Sequence, residues 1–239
     1  MVTMFIAFLT LIASAAGTIT GFGTSTILIP ILLIFFPHVE VIFLVAIIHW
    51  FGNLWKILLF REGLNLRLFI LFGAVGLITS YVGASISLGS NEHLFLRMLG
   101  IFLIIYAFFL IYKSHFKIPP VNVSALAGGA LSGFFAGMFG IGGAIRSMFL
   151  LAFNLPKEVY IATAGAIGLL VDSTRIITYF TGGVELPKML WYGLLLFIPI
   201  SFLGAQIAKR IVDKIPQNKF RTVIAVFLLF VGFKLFIWP

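Results

Sequence analysis

Lys56, Arg146, Asp172 and Arg175 each stand inside a long apolar run, and Asp172 is the one acid in such a place. An ionisable group in hydrocarbon costs several kcal/mol and by default marks a pathway or a binding site. Asp172 and Arg175 are three residues apart and share a helix face, which Gly168 and Tyr179 extend at helical spacing. His49, Asn53 and Lys56 form a second stripe of the same kind. Three cations against one carboxylate leave about two positive charges, an arrangement that suits a small anion. Other readings stay open at this point. Lys56 lies near a helix end and can snorkel, Asp172 and Arg175 can form a neutral structural pair, and His49 can be a packed side chain. Asp172 with backbone carbonyls would instead suit a cation or a neutral solute.

Bond-breaking chemistry has no basis here. There is no nucleophile–base pair and no phosphate loop, and the G-x-G pattern follows no strand. Four scattered histidines and one membrane acid do not make a metal cluster. The expectation is a protein that binds and moves its ligand, without cofactor, metal or enzymatic activity. The net charge of +9 would point to nucleic acid in a soluble protein. Here the basic residues cluster in short loops, so membrane orientation is the simpler cause and no nucleic-acid partner is expected.

The elements that must position these groups are membrane helices. The 239 residues are 62% hydrophobic and only 10% charged, far from the balance of a soluble domain. The apolar runs are continuous and do not alternate, which argues against a β-barrel. The cysteine-free sequence has no disulfides. Two of the runs are broken by glycine, GTITGFGTST from Gly17 and GFFAGMFGIGG from Gly133. Glycine is a poor helix former, and broken helices at membrane depth mark a transporter's central site. Close helix packing through small residues is the competing use, and Gly17/Gly21 and Gly133/Gly137 fit it. Met1 to Phe36 carries no charge; with no Lys or Arg ahead of it, it reads as mature structure rather than a signal peptide. The break divides it into arms of about 16 and 13 residues, each too short to cross a core of about 30 Å. Such arms suggest a hairpin that enters and returns on one side.

The plan occurs twice. Gly17 matches Gly133, Glu40 matches Glu158, Gly73 matches Gly193, and Gly83-Ala84 matches Gly204-Ala205. The alignment also places Asn53 opposite Asp172 and Lys56 opposite Arg175, whereas Arg146 has no counterpart. Three further spans follow each break, near 41–60, 68–88 and 97–112, then 159–180, 189–208 and 221–238. Residues 1–112 form the first repeat, 113–124 a linker stopped by Pro119-Pro120, and 125–239 the second repeat. If each broken run is a hairpin, the second half is inverted. One side then receives ten Lys/Arg (Arg61, Arg67, Lys113, Lys117, Lys157, Lys209, Arg210, Lys214, Lys219, Arg221) and the other three (Arg97, Lys188, Lys234). Four crossings per half would leave the charges evenly divided. The split predicts a cytoplasmic linker and both termini outside the cytoplasm. The expected fold is therefore an all-α polytopic membrane protein. It has two inverted-topology repeats, each a glycine-broken helical hairpin plus three transmembrane helices.

The second arms begin at Thr24-Ser25-Thr26 and Ile141-Gly142-Gly143. Helix N-termini there would offer free N–H groups and a positive dipole end to an anion. The expected substrate site is Thr24, Ser25, Thr26, His49, Asn53, Lys56, Ile141, Gly142, Gly143, Arg146, Asp172, Arg175 and Tyr179. A side chain at Gly142 is expected to fill the substrate space, and one at Gly100, far from the tips, to do little. A non-transporting scaffold or a lipid enzyme is the remaining alternative.

The repeated breaks GFG-TST and GMFGIGGA, with HWFGNLWKILLFR from His49 and DSTRIITYFTGG from Asp172, resemble the sulfite exporter TauE/SafE family. The resemblance covers nearly the whole chain. It implies a multi-pass exporter in a prokaryotic plasma membrane, moving small anions such as sulfite or organosulfonates; the inverted repeats suggest that it does so by alternating access. Thr24 and Ser25 stand where the family has glycines, and Arg146-Ser147 where it often has proline. The oligomeric state has no sequence signature.

Overall fold

The computed structural model describes residues 1–20, 23–60, 63–112, 118–211 and 217–239. Gly21, Arg61, Lys113, Lys117 and Lys214 lie outside these residues, and so does the first part of the linker. The described residues form ten helices. They are α1 (Val2–Thr20), α2 (Ser25–Leu32), α3 (His38–Leu59), α4 (Leu66–Leu88), α5 (Glu92–Tyr112), α6 (Asn122–Phe139), α7 (Gly143–Leu151), α8 (Lys157–Thr181), α9 (Lys188–Ile211) and α10 (Gln217–Ile237). Seven of them are long and apolar enough to cross a bilayer, which makes this a multi-pass membrane protein. Large apolar side chains such as Ile70, Ile78, Leu195 and Phe230 point outward, as lipid as the surrounding solvent requires.

Local chemistry sets the helix starts. Pro37 and Pro156 hold extended backbone just ahead of α3 and α8, and Glu40 and Glu158 sit in the first turns. Asn65 accepts the N–H of Leu68 and caps α4. Asn91 accepts from His93 N at 3.0 Å, so α5 begins at Glu92, ahead of the expected Arg97. α6 begins at Asn122, right after the proline stop.

Both glycine-rich runs are hairpins, with unequal arms. The first has arms of 19 and 8 residues and the second of 18 and 9, rather than two arms of similar length. At 1.5 Å per residue, α1 and α6 are about 27–28 Å long and nearly cross the bilayer before turning back. Their glycines explain the difference. Gly129, Gly133 and Gly137 stay helical and let α6 lie against Phe72, Gly76 and Ser80 of α4, where an added Cβ would strike backbone. The reversal comes later, at Gly140, with φ +73°, and at Gly23, with φ +86°. The mouths of the hairpins close: the rings of Phe5 and Phe35 meet at 5.9 Å, and Pro120 and Asn122 share a cleft with Phe153 and Leu155.

The principal packing contacts pair the halves reciprocally. α4 lies on α6 as α9 lies on α1, and α4 touches α8 as α9 touches α3. α3 packs on α8, α5 on α10 and α2 on α7, each against its own equivalent. Ser80 of α4 donates to the carbonyl of Val171 in α8, and Ser201 of α9 receives Trp55 of α3. α3 and α8 run antiparallel: Trp50 bonds Ser173, Asn53 bonds Asp172, and Ile57 lies by Gly165.

Candidate functional site

The antiparallel crossing of α3 and α8 brings the two polar stripes face to face. Asp172 is the hub. Its Oδ2 lies 2.8 Å from His49 Nδ1 and 2.9 Å from Asn53 Nδ2, and its Oδ1 lies 3.0 Å from Arg175 Nη2. Lys56 Nζ donates to Asn53 Oδ1 at 3.2 Å, which orients the amide toward the carboxylate. Arg146 reaches in from α7: a Cβ on Gly168 would meet its Nη2 and the amide of Asn53. His49, Asn53, Lys56, Arg146, Asp172 and Arg175 are all at most 4% exposed, so the cluster is sealed from both faces.

Two of the expected residues also serve the broken helix. The last carbonyls of a helix lack partners within it; of those of α6, Ala136 O accepts the N–H of the capping Gly140 at 2.8 Å. Arg175 Nη1 donates to Ala136 O at 3.1 Å, and Tyr179 OH donates to Gly137 O at 3.2 Å. Gly140 turns the chain directly over Arg175, where a Cβ would lie 2.9 Å from Nη1. At this depth, where no lipid group can replace them, these side chains make the break tolerable.

The tips of the hairpins adjoin the cluster from two sides. Gly23 crosses the His49 ring so closely that a Cβ would lie 2.5 Å from Nε2. Thr24 faces Gly52, one turn away, and Ser25 and Thr26 are buried at the start of α2. On the other side Ile141 is buried, and Gly142 and Gly143 begin α7. The space a Gly142 side chain would need is filled by Ser132 O and Ala136 of α6, so this glycine packs its own hairpin rather than opening onto the cluster. Gly100 is equally tight, against Gly232 O and Phe236 N of α10. Substitution at either site acts through packing, contrary to the sequence-based contrast between them.

The site-residue set drawn from the sequence omits Gly23 and Gly140. They occupy equivalent positions in the repeat, and the alignment of the two runs was their only signature. Among the described residues, the buried polar atoms at the cluster without a hydrogen-bond partner include His49 Nε2, Arg146 Nε, Arg175 Nε and, at the first tip, Ser25 Oγ. The unpaired Arg146 Nε–H and Ser25 hydroxyl, beside three cations and one fully engaged carboxylate, make a cradle for negative charge.

The family model for the sulfite exporter TauE/SafE matches residues 6–235 of the chain. No curated protein matches it.

Proposed function

The chain belongs to the sulfite exporter TauE/SafE family, whose members are membrane transporters, and we propose that it exports a small oxyanion of the sulfite or organosulfonate class. The observation that carries this reading is the buried cluster of Lys56, Arg146 and Arg175 around a single carboxylate, with a hairpin tip on each side. In this reading Lys56 and Arg146 supply charge to the anion, the α2 and α7 starts supply N–H groups, and Asp172 holds Arg175, Asn53 and His49 in place. A cation is disfavoured because both Asp172 oxygens already accept donors.

We further propose that the halves are inverted repeats that exchange conformations about the tips. The antiparallel run of α3 against α8, which are equivalent helices, supports this, because parallel repeats would align them. We place the linker in the cytoplasm and both termini outside it, in the plasma membrane of a prokaryote.

The test is efflux of trapped sulfite from proteoliposomes. Wild type is expected to release it faster than protein-free liposomes, and Lys56→Gln with Arg146→Gln to fall to the protein-free rate. Efflux of a neutral solute or a cation, with sulfite retained, would overturn the reading.

A further inference from the structure

We propose that His49 is the proton-coupling site, so that the anion binds and crosses together with a proton. The inference rests on the anion-transport reading above and adds the coupling ion to it.

The tautomer follows from its partners. A carboxylate only accepts hydrogen bonds, so the 2.8 Å contact with Asp172 Oδ2 places a hydrogen on His49 Nδ1. In the neutral ring Nε2 is then a bare lone pair. It has no partner and lies against the backbone of the first tip at Gly23. The ring is 3% exposed, so no bulk water satisfies it. Asp172 is less suited to take a proton, because one there would displace Asn53, His49 or Arg175; a guanidinium has no acceptor site, and Lys56 Nζ is already engaged as donor to Asn53 Oδ1.

The charged groups facing His49 are Asp172 and Arg175 from α8, Lys56 from its own helix and Arg146 from α7. Without substrate this set carries about two positive charges, and a proton on Nε2 adds a third. An anion entering beside Lys56 and Arg146 offsets that charge in a medium of low dielectric constant. Each ligand therefore favours the other, and the coupling is reciprocal. The protonated Nε2 also gains a partner, since an N–H now points at the tip where the anion docks. Anion affinity should rise as pH falls, because the proton-bound state gains occupancy as pH falls.

Calorimetric titration of the purified protein with sulfite, in two buffers of different ionisation enthalpy, counts the protons taken up. The comparison is wild type against His49→Gln, whose amide can still donate to Asp172 but cannot be protonated. Sulfite's own protonation is common to both and cancels. Near neutral pH we expect wild type to take up about one proton more per sulfite than the variant. Equal counts with sulfite bound would overturn this proposal and leave the anion reading standing. Absence of sulfite binding and efflux in wild type would instead overturn the anion reading. Should His49→Gln not fold, His49→Asn replaces it in the same titration, and equal proton counts for it and wild type overturn the coupling.

Discussion

Arg175 joins Asp172 at 3.0 Å with one guanidinium nitrogen and the carbonyl of Ala136 at 3.1 Å with the other. One side chain thus ties the α3–α8 cluster to the broken end of α6. Any motion of the second hairpin must strain or carry this link, so the buried polar cluster and the hairpin tip are mechanically one unit.

Arg175→Lys should lose transport although its charge is kept. An ammonium is a point charge and cannot span both partners as the planar fork does. Tyr179→Phe removes the hydrogen bond to Gly137 O and leaves that buried carbonyl unpaired, a loss of about 1–3 kcal/mol, and should still transport. Sulfite efflux and thermal unfolding in detergent would be measured for both at matched expression. Wild-type efflux by Arg175→Lys would show that the bridge is dispensable.

Asp172→Ala should destabilise more than Asp172→Asn. Removing the carboxylate leaves Arg175 a buried, uncompensated cation, a loss of about 3–5 kcal/mol in comparable buried pairs. Asparagine keeps an acceptor for one donor and the side-chain volume. If Asp172→Ala unfolds at the same temperature as wild type, Asp172 is not the hub of the cluster.

The polar stripes were legible in the sequence because helical spacing and the repeat alignment act on the same residues. Asn53 and Asp172 are equivalent, and they meet directly. The hairpins were legible from the division of loop charges, which does not depend on where each helix breaks. Their arm lengths were not, because glycine serves two purposes with one letter. Gly133 and Gly137 keep α6 close to α4, and Gly140 turns the chain; only the neighbouring helix tells them apart. The structural duty of Arg175 and Tyr179 was hidden for a similar reason. Their partners are backbone carbonyls of α6, which have no residue signature.

Gly23→Ala and Gly140→Ala should both lower stability. Each glycine has positive φ, where an ordinary residue costs about 1–2 kcal/mol, and each Cβ would press on a neighbouring side chain, the His49 ring or Ile29. Gly63→Ala, also at positive φ but with open space around it, should pay the backbone term alone. Unfolding temperatures of the three variants give the order. A larger loss at Gly63 than at Gly23 would refute the close approach of the first tip to His49.

The last prediction concerns sidedness. Arg67, at the start of α4, bonds Asn122 at 2.7 Å, so the loop before α4 and the start of α6 share one face. Leu88, at the far end of α4, lies against Gly182, at the end of α8. These two pairs sit at opposite ends of the 23-residue α4, Arg67 and Leu88 being about 32 Å apart at 1.5 Å per residue, enough for opposite faces of the membrane. Single cysteines at the exposed positions Leu64, Val121, His93 and Glu185 can therefore be sorted into two pairs. From the excess of Lys and Arg beside the first pair we expect that pair in the cytoplasm. A membrane-impermeant maleimide added to intact cells should label His93→Cys and Glu185→Cys, and the other two only after the membrane is opened. Labelling of Leu64→Cys and Val121→Cys alone would invert the orientation and leave the fold intact. Labelling of Leu64→Cys together with His93→Cys would mean that α4 does not cross the membrane, and the arrangement of both halves would fall with it.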